Sequence, residues 1–345
     1  MKKIILFISI LSLAIPGWLS AQYTTKMVKS KHEIYTDSLK SMEYDRVLPI
    51  WGAGAYKQGF DIPFPLGVMV NTIWMRQGIT IDNMRLGLTT DSINVPLTQT
   101  DFVQFGENVN ESFSTTFRPD IWILPFVNVY GLFGAGRSRT KINLVAPIAM
   151  YSVVEQGITT TGFGILGAGG VGPLWVSVDA NFTWNKPELL DKATQVNVLG
   201  IRMGHSFMFK KRPDRNINIW AGTMRVKMNS ETVGAIVLKE AIPIDEMNEK
   251  GEDALEYYES LSPVEKVKPA NLLIKQIGQR LVAADGEAVI KYGMDKQTKQ
   301  LWNASIGGQF QFNKAWQFRT ELGFIGDRKS FMLSLNYRFL GPRKS

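Results

Sequence analysis

Ser330-Phe331-Met332-Leu333-Ser334-Leu335-Asn336-Tyr337-Arg338-Phe339 alternates without a break. Phe331, Leu333, Leu335, Tyr337 and Phe339 share one face, and Ser330, Met332, Ser334, Asn336 and Arg338 share the other. A period of two belongs to a β-strand, whose successive side chains point to opposite sides. Here one side is uniformly large and apolar and ends in two aromatics, while the other is mostly polar. In a soluble sheet such a face packs on a core. In a strand that crosses a membrane it meets lipid, with the aromatics at headgroup level.

The pattern recurs along the chain. Leu174, Val176, Val178, Ala180, Phe182 and Trp184 alternate with Trp175, Ser177, Asp179, Asn181 and Thr183. Trp302, Ala304, Ile306, Phe310 and Phe312 alternate with Asn303, Ser305, Gly307, Gln309 and Gln311. Two-period runs also occupy 66–88, 112–117, 121–135, 159–166, 195–209, 216–228 and 316–325. In 216–228, Trp220, Met224, Val226 and Met228 form the large apolar face and are assigned to lipid, which sends Arg225 and Lys227 inward. After the first residues, no apolar run reaches the ~20 residues of a membrane-spanning helix, so a membrane is crossed with strands.

The N-terminus addresses the chain to that membrane. Lys2 and Lys3 precede an almost unbroken apolar stretch from Ile4 to Pro16, and Leu19-Ser20-Ala21 is a small-residue cleavage site. This is a secretory signal peptide over 1–21, implying Sec-type export and a mature start at Gln22. The chain has no Cys, which excludes disulfides, thiolate metal sites and a Cys nucleophile. The formal charge of +8 is scattered over predicted strands, so nucleic acid is not an expected partner. Residues 22–62 read as a polar N-terminal periplasmic extension or plug with one short helix around Trp51–Gln58, ended before Pro63 and Pro65.

Short links at Arg118-Pro119-Asp120, 167–173, 210–215 and 313–315 alternate with long ones at 89–111, 136–158, 185–194 and 229–300. In membrane barrels, short turns are periplasmic and long loops extracellular, and strand numbers are even. The fold expected is therefore all-β: a closed antiparallel transmembrane β-barrel of 10 to 12 strands over 63–340, with a tail at 341–345. The long loop 229–300 carries a helical insert. Asp245, Glu246, Glu249, Glu252, Asp253, Glu256 and Glu259 make it acidic. It either lies free in solvent or docks on the barrel mouth as a lid.

With its leader, two-period strands, alternating links and aromatic final strand, the chain resembles bacterial outer-membrane β-barrel proteins. The strands, and stretches such as Pro125-Phe126-Val127-Asn128-Val129-Tyr130-Gly131, look like an uncharacterised porin-like or transporter-like group within that class. The resemblance implies outer-membrane lipid as surroundings and the barrel-assembly machinery as the partner that reads the Tyr337 and Phe339 strand. The sequence departs from the pattern in that Leu340 to Ser345 follow Phe339.

The inward faces yield one candidate constellation. Asp179, Arg202, Arg225, Lys227, Arg319, Glu321 and Arg338 are the expected lumen-lining charges, net positive. They suit either an anion-preferring pore or a lumen plugged by paired charges. Two functions stay open: a porin or transporter for small anionic or amphipathic solutes, and a non-conducting structural or binding barrel with extracellular partner loops. No enzyme is expected. His205 and Ser206 are strand neighbours pointing to opposite faces and cannot pair as base and nucleophile. Gly167 to Gly172 lacks the Lys-Ser/Thr ending of a nucleotide loop. No catalytic, metal or cofactor site is expected.

Overall fold

The structure is a computed structural model that describes residues 31–344 apart from 92, 148, 172, 189–191 and 210. The predicted signal peptide lies outside the described residues. In chain order the elements are α1 (Lys31–Ser41), α2 (Gly52–Lys57), β1 (Leu66–Thr89), β2 (Asn94–Gln99), β3 (Gln104–Phe105), β4 (Asn108–Leu124), β5 (Val127–Ala146), β6 (Met150–Val171), β7 (Leu174–Pro187), β8 (Thr194–Phe209), β9 (Arg212–Val237), α3 (Leu238–Ala241), α4 (Ile244–Ser260), α5 (Pro263–Lys266), α6 (Pro269–Val282), β10 (Val289–Thr298), β11 (Trp302–Gln311), β12 (Trp316–Ile325) and β13 (Arg328–Phe339).

Ten strands close the ring. β1 pairs with β13 along one edge, from Leu66 opposite Phe339 to Arg76 opposite Lys329. Its other edge pairs with β4, from Leu66 opposite Ile121 to Ile79 opposite Asn108. Antiparallel neighbours β4 through β9, then β11 to β13, complete the circuit. Closure removes every free edge, which is what lets strands cross hydrocarbon. The outer face carries the apolar side chains read from the alternation: Val176 and Val178 on β7, Ile306 on β11, Phe318 and Leu322 on β12, and Leu333 and Leu335 on β13. Aromatics mark both rims, with Trp316 at 4.7 Å from Tyr337 at the end that bears both chain termini, and Trp74, Trp184 and Trp302 toward the other. That rim is followed by outward ion pairs, Arg76–Glu111 at 3.2 Å and Arg139–Glu155 at 3.0 Å, where the wall leaves lipid.

Beyond lipid the wall continues with fewer strands. β10 pairs with the distal part of β1 on one side and of β9 on the other. One strand thus spans the sector that β11, β12 and β13 span below, and a barrel narrows as strands are lost. Asn83, with φ of 52°, sits where the β1–β10 register breaks between Asp82 and Arg85. The extra residue flips the alternation. Below it Met69, Ile73 and Ile79 face inward; above it Met84, Leu86 and Leu88 do.

The helical insert docks on this narrowed mouth through apolar contact. Leu238, Ile242, Met247, Leu273, Ile277 and Leu281 form one buried cluster with Leu88 and Ala288. α4 and α6 approach closely at Gly251, where a Cβ would come within 2.7 Å of the Val282 backbone nitrogen. Among the carboxylates of α4, Glu249 and Glu259 are solvent-exposed. The insert is thus a lid held by its apolar face, and the acidic residues do not bind it to the barrel.

Several predicted turns are strand. Arg118-Pro119-Asp120 lies within β4, and the β4–β5 ladder breaks after Phe117 opposite Phe133 and resumes at Asp120 opposite Tyr130 in the same register. The missing proline N–H is absorbed there. β6 runs through Gly167 to Val171, and 136–158 is a tall hairpin of β5 and β6. A helix over Lys31–Ser41 also precedes the predicted one. The N-terminal segment covers the terminal end of the barrel. Asp61 bonds Lys314 Nζ at 2.9 Å in the β11–β12 turn, Ile50 N–H donates to the Ile123 carbonyl, and Val47 N–H donates to the Pro342 carbonyl.

Candidate functional site

Four cavities stack along the lumen among the described residues, separated by side chains. Nearest the termini, a cavity of about 360 Å³ is walled by Trp122, Trp175 and Trp220 and by Arg118, Arg319 and Arg338. Above it lies one of about 300 Å³, bordered by Ile73, Leu132, Val198, Met224 and Met332. A third, of about 210 Å³, is more polar, with Gln77, Ser138 and Thr140. The fourth, of about 250 Å³, lies under the lid and is almost wholly apolar, with Leu86, Phe102, Ile142, Met150, Ile236 and Ile277. Neighbouring cavities share lining residues: Arg202 and Arg319 between the first and second, Val226 and Thr160 between the second and third, Gln156 and Lys296 between the third and fourth.

The first boundary is a closed charge cluster. Arg202, on β8, donates from Nε to Glu321 Oε2 at 2.8 Å and from Nη2 to Oε1 at 3.1 Å, and its Nη1 also bonds Asp179. Arg319 Nη2 donates to Glu321 Oε2 at 2.6 Å, and Trp220 Nε1 to the same oxygen at 3.2 Å. The Arg319 guanidinium lies 4.6 Å from the centre of the Trp220 ring. Lower down, Asp120 Oδ1 accepts from Arg338 Nη2 at 2.9 Å and from Asn128 Nδ2 at 2.7 Å. Arg118 stacks 3.5 Å from the Tyr130 ring centre and reaches Asn128 Oδ1 at 3.3 Å. Four guanidinium groups therefore face three carboxylates, and Arg118 has no carboxylate partner among the described residues.

The last boundary is different in kind. Lys296, beyond the lipid belt on β10, projects between the two outer cavities. Burial pushes its ammonium below the ordinary 10.5, and among the described residues no carboxylate counters that. Tyr292, on the same face, has its phenol pushed up by burial.

Of the seven lumen residues expected from sequence, Asp179, Arg202, Arg319, Glu321 and Arg338 are inside, and all but Arg338 are joined in one cluster. Arg225 and Lys227 are not inside. β9 is turned the other way: Trp220, Met224, Val226 and Met228 line the lumen, and Arg225 stands beside the outward Trp302. The reason is physical. A ten-stranded barrel has an interior small enough to be filled by side chains, so the larger apolar face is not always the lipid face. Arg118 and Asp120 were missed because a proline between them reads as a turn, although both share parity with the inward Ser114 and Thr116. Lys296 was missed because it lies within a stretch read as loop. Ser206 lines the first cavity and contacts Asn218, while His205 stacks on Phe207 with ring centres 4.3 Å apart.

No protein-family model and no curated protein matches the chain. Among solved structures, the β domain of the Bordetella autotransporter BrkA is similar with a TM-score of 0.36 at 8% identity, covering 80% of this chain and 100% of that one. The translocator domain of the autotransporter NalP from Neisseria meningitidis gives 0.32 at 11%, covering 90% and 94%. The transport unit of AIDA-I from Escherichia coli gives 0.30 at 8%, covering 92% and 100%. On its closed ring of ten antiparallel strands and its apolar outer belt, this chain has the fold of bacterial outer-membrane β-barrels.

Proposed function

We propose that this barrel passes small amphipathic solutes, anions among them, across the bacterial outer membrane, and that the structure is its closed form. The observation that carries the reading is the run of four adjoining cavities from the lid to the terminal end, with apolar side chains in their walls. Apolar cavities with a few convergent polar groups are the usual setting for small-molecule sites. A solute enters beneath α4 and α6, meets Lys296, and is held at the Arg202–Asp179–Glu321–Arg319 cluster until that cluster opens. The segment 31–62 closes the periplasmic side. Export through the signal peptide 1–21 and insertion by the barrel-assembly machinery belong to the same reading, and no chemical step is part of it.

The test is flux. Barrel reconstituted in liposomes should admit a small aryl sulfonate, whose fixed charge keeps it from crossing lipid, faster than it admits a sugar of similar size. Planar-bilayer ion conductance should be low, because paired charges close the lumen between the first and second cavities. Absence of flux for every amphipathic solute tried overturns the reading. The second reading, a non-conducting binding barrel, is favoured by the covering of the terminal end by the N-terminal segment. Retained solute binding without flux selects it.

A further inference from the structure

Among the described residues, twelve buried polar side-chain atoms lack a hydrogen-bond partner, and six of them belong to residues that line one cavity, the first. Four are N–H donors: Arg118 Nε, Arg319 Nε, Trp122 Nε1 and Trp175 Nε1. Of the two acceptors, Asp120 Oδ2 lies over Gly67, where a Cβ would be 2.6 Å from it, and Asn336 Oδ1 belongs to an amide already donating to Gln317. Unsatisfied buried donors are costly and therefore rare. Their concentration around one space marks that space as a site for an acceptor.

Charge and shape narrow the acceptor. The guanidinium groups of Arg202, Arg319 and Arg338 are paired to Asp179, Glu321 and Asp120. Arg118, held by Asn128 and the Tyr130 ring, leaves one positive charge uncompensated, which one negative charge balances. Beside the hydroxyls and amides of Ser177, Ser206, Asn218, Gln309 and Gln317, the wall offers flat apolar surface from the Trp122, Trp175 and Trp220 rings, Leu166 and Pro63. At about 360 Å³ the cavity is at the small end of the ~300–1,000 Å³ range of ligand sites. We propose, building on the transport reading above, that this cavity is a binding site for a small monoanion with an aromatic body and a carboxylate-like head. The head takes the Arg118, Arg319 and indole N–H groups, and the body lies against the tryptophans.

The tryptophans supply the readout. Purified barrel in lipid nanodiscs is titrated with benzoate and with its neutral counterpart benzyl alcohol, following intrinsic fluorescence. Benzoate should quench saturably and bind at least tenfold more tightly than benzyl alcohol. Arg118→Met should weaken benzoate by about tenfold, the scale of one charge-assisted bond, and leave benzyl alcohol within twofold. Trp175→Phe, which removes the indole N–H and keeps an aromatic ring at that place in the wall, should weaken benzoate several-fold while leaving benzyl alcohol within twofold, and decides the matter if Arg118→Met does not fold. Benzoate no tighter than benzyl alcohol, or unaffected by the variant that folds, overturns the site. Aryl sulfonate flux without benzoate binding overturns this site alone. Benzoate binding without flux overturns the transport reading alone.

Discussion

At the terminal end of the lumen, four guanidinium groups and three carboxylates interlock among tryptophans. At the capped end, the Lys296 ammonium projects among leucine, isoleucine and methionine side chains beneath two helices. The two regions close the same tube by different physics. Below, closure comes from charge pairs made in low dielectric, where each ion depends on its partners. Above, closure comes from apolar surface withdrawn from water, which is non-directional and tolerant. A lumen with both has a specific set of ion pairs at one end and a loose apolar cover at the other. Substitutions in the two regions should therefore differ in size and in how far their effects spread.

The largest effect is expected at the ion pairs. Arg202→Met leaves Asp179 buried without its cation and strips Glu321 of a bidentate partner. Breaking a buried pair from one side costs about 3–5 kcal/mol. Urea unfolding in vesicles should show that loss across the whole barrel. Adding Asp179→Asn should restore part of it, because the orphaned charge is then gone. A loss below 1 kcal/mol would mean that the cluster is hydrated.

The lid should respond locally. Leu281 is fully buried in the cluster that joins α6 to β1, and Leu281→Ala costs about 2–5 kcal/mol. Hydrogen exchange should rise in α4, α6 and β10 while β11 to β13 remain protected. Equal loss of protection in β13 would merge the two regions into one cooperative unit and break the contrast.

The same contrast explains what was legible in the sequence. Wherever lipid fixes one face, as on β7, β11 and β13, the two-residue period assigns inside and outside correctly, because hydrocarbon tolerates only apolar side chains there. The inner face obeys no such rule. On β9 the lumen takes Trp220, Met224, Val226 and Met228, and the wall outside the lipid core takes Arg225 and Lys227, so the larger apolar face points inward. Above the lipid the period itself fails. The bulge at Asn83 exchanges the faces of β1, and β10 hides in a stretch whose composition reads as loop and helix. Asp179, Arg202, Arg319 and Glu321 were visible as inward charges, but their convergence on one another depends on barrel closure, which no local pattern encodes. The donor-rich cavity below them depends on the same closure, with Trp122 and Trp175 brought together from β4 and β7.

Lipid gives the third test. Val178 lies in the middle of β7 and faces outward, so Val178→Arg should cost about 2–4 kcal/mol, the scale for a cation at the bilayer midplane. Tyr151 also faces outward, at 61% exposure, but on the part of β6 beyond the Arg139–Glu155 pair. Tyr151→Arg should change stability by less than about 0.5 kcal/mol, as at an ordinary surface. Folding yields into vesicles, read by heat-modifiable migration, compare the two. Equal losses would place lipid higher on the wall and bring the lid within the membrane.

The smallest effect, and the one of opposite sign, belongs to Lys296. Lys296 is half-buried, and desolvation pushes its pKa below 10.5, so the folded state disfavours the charged form that the unfolded chain carries freely. Between the lowered value and 10.5 the unfolded state binds more protons, and stability rises with pH across that window. Below the window both states are charged and the penalty is fully present; above 10.5 it is gone. Lys296→Met removes the penalty and keeps the apolar stem, so it should stabilise the capped end at neutral pH by an amount of order 1 kcal/mol, the usual scale of single substitutions. The gain should shrink as pH rises toward 10.5, read as hydrogen-exchange protection of β10 and α6. Arg202→Met destabilises and Lys296→Met stabilises only if the arginine is partnered and the lysine is not. A loss on Lys296→Met, or a gain that does not fade with rising pH, would mean that an acceptor holds the ammonium in the folded mouth, and the two ends of the lumen would then be closed by the same kind of bond.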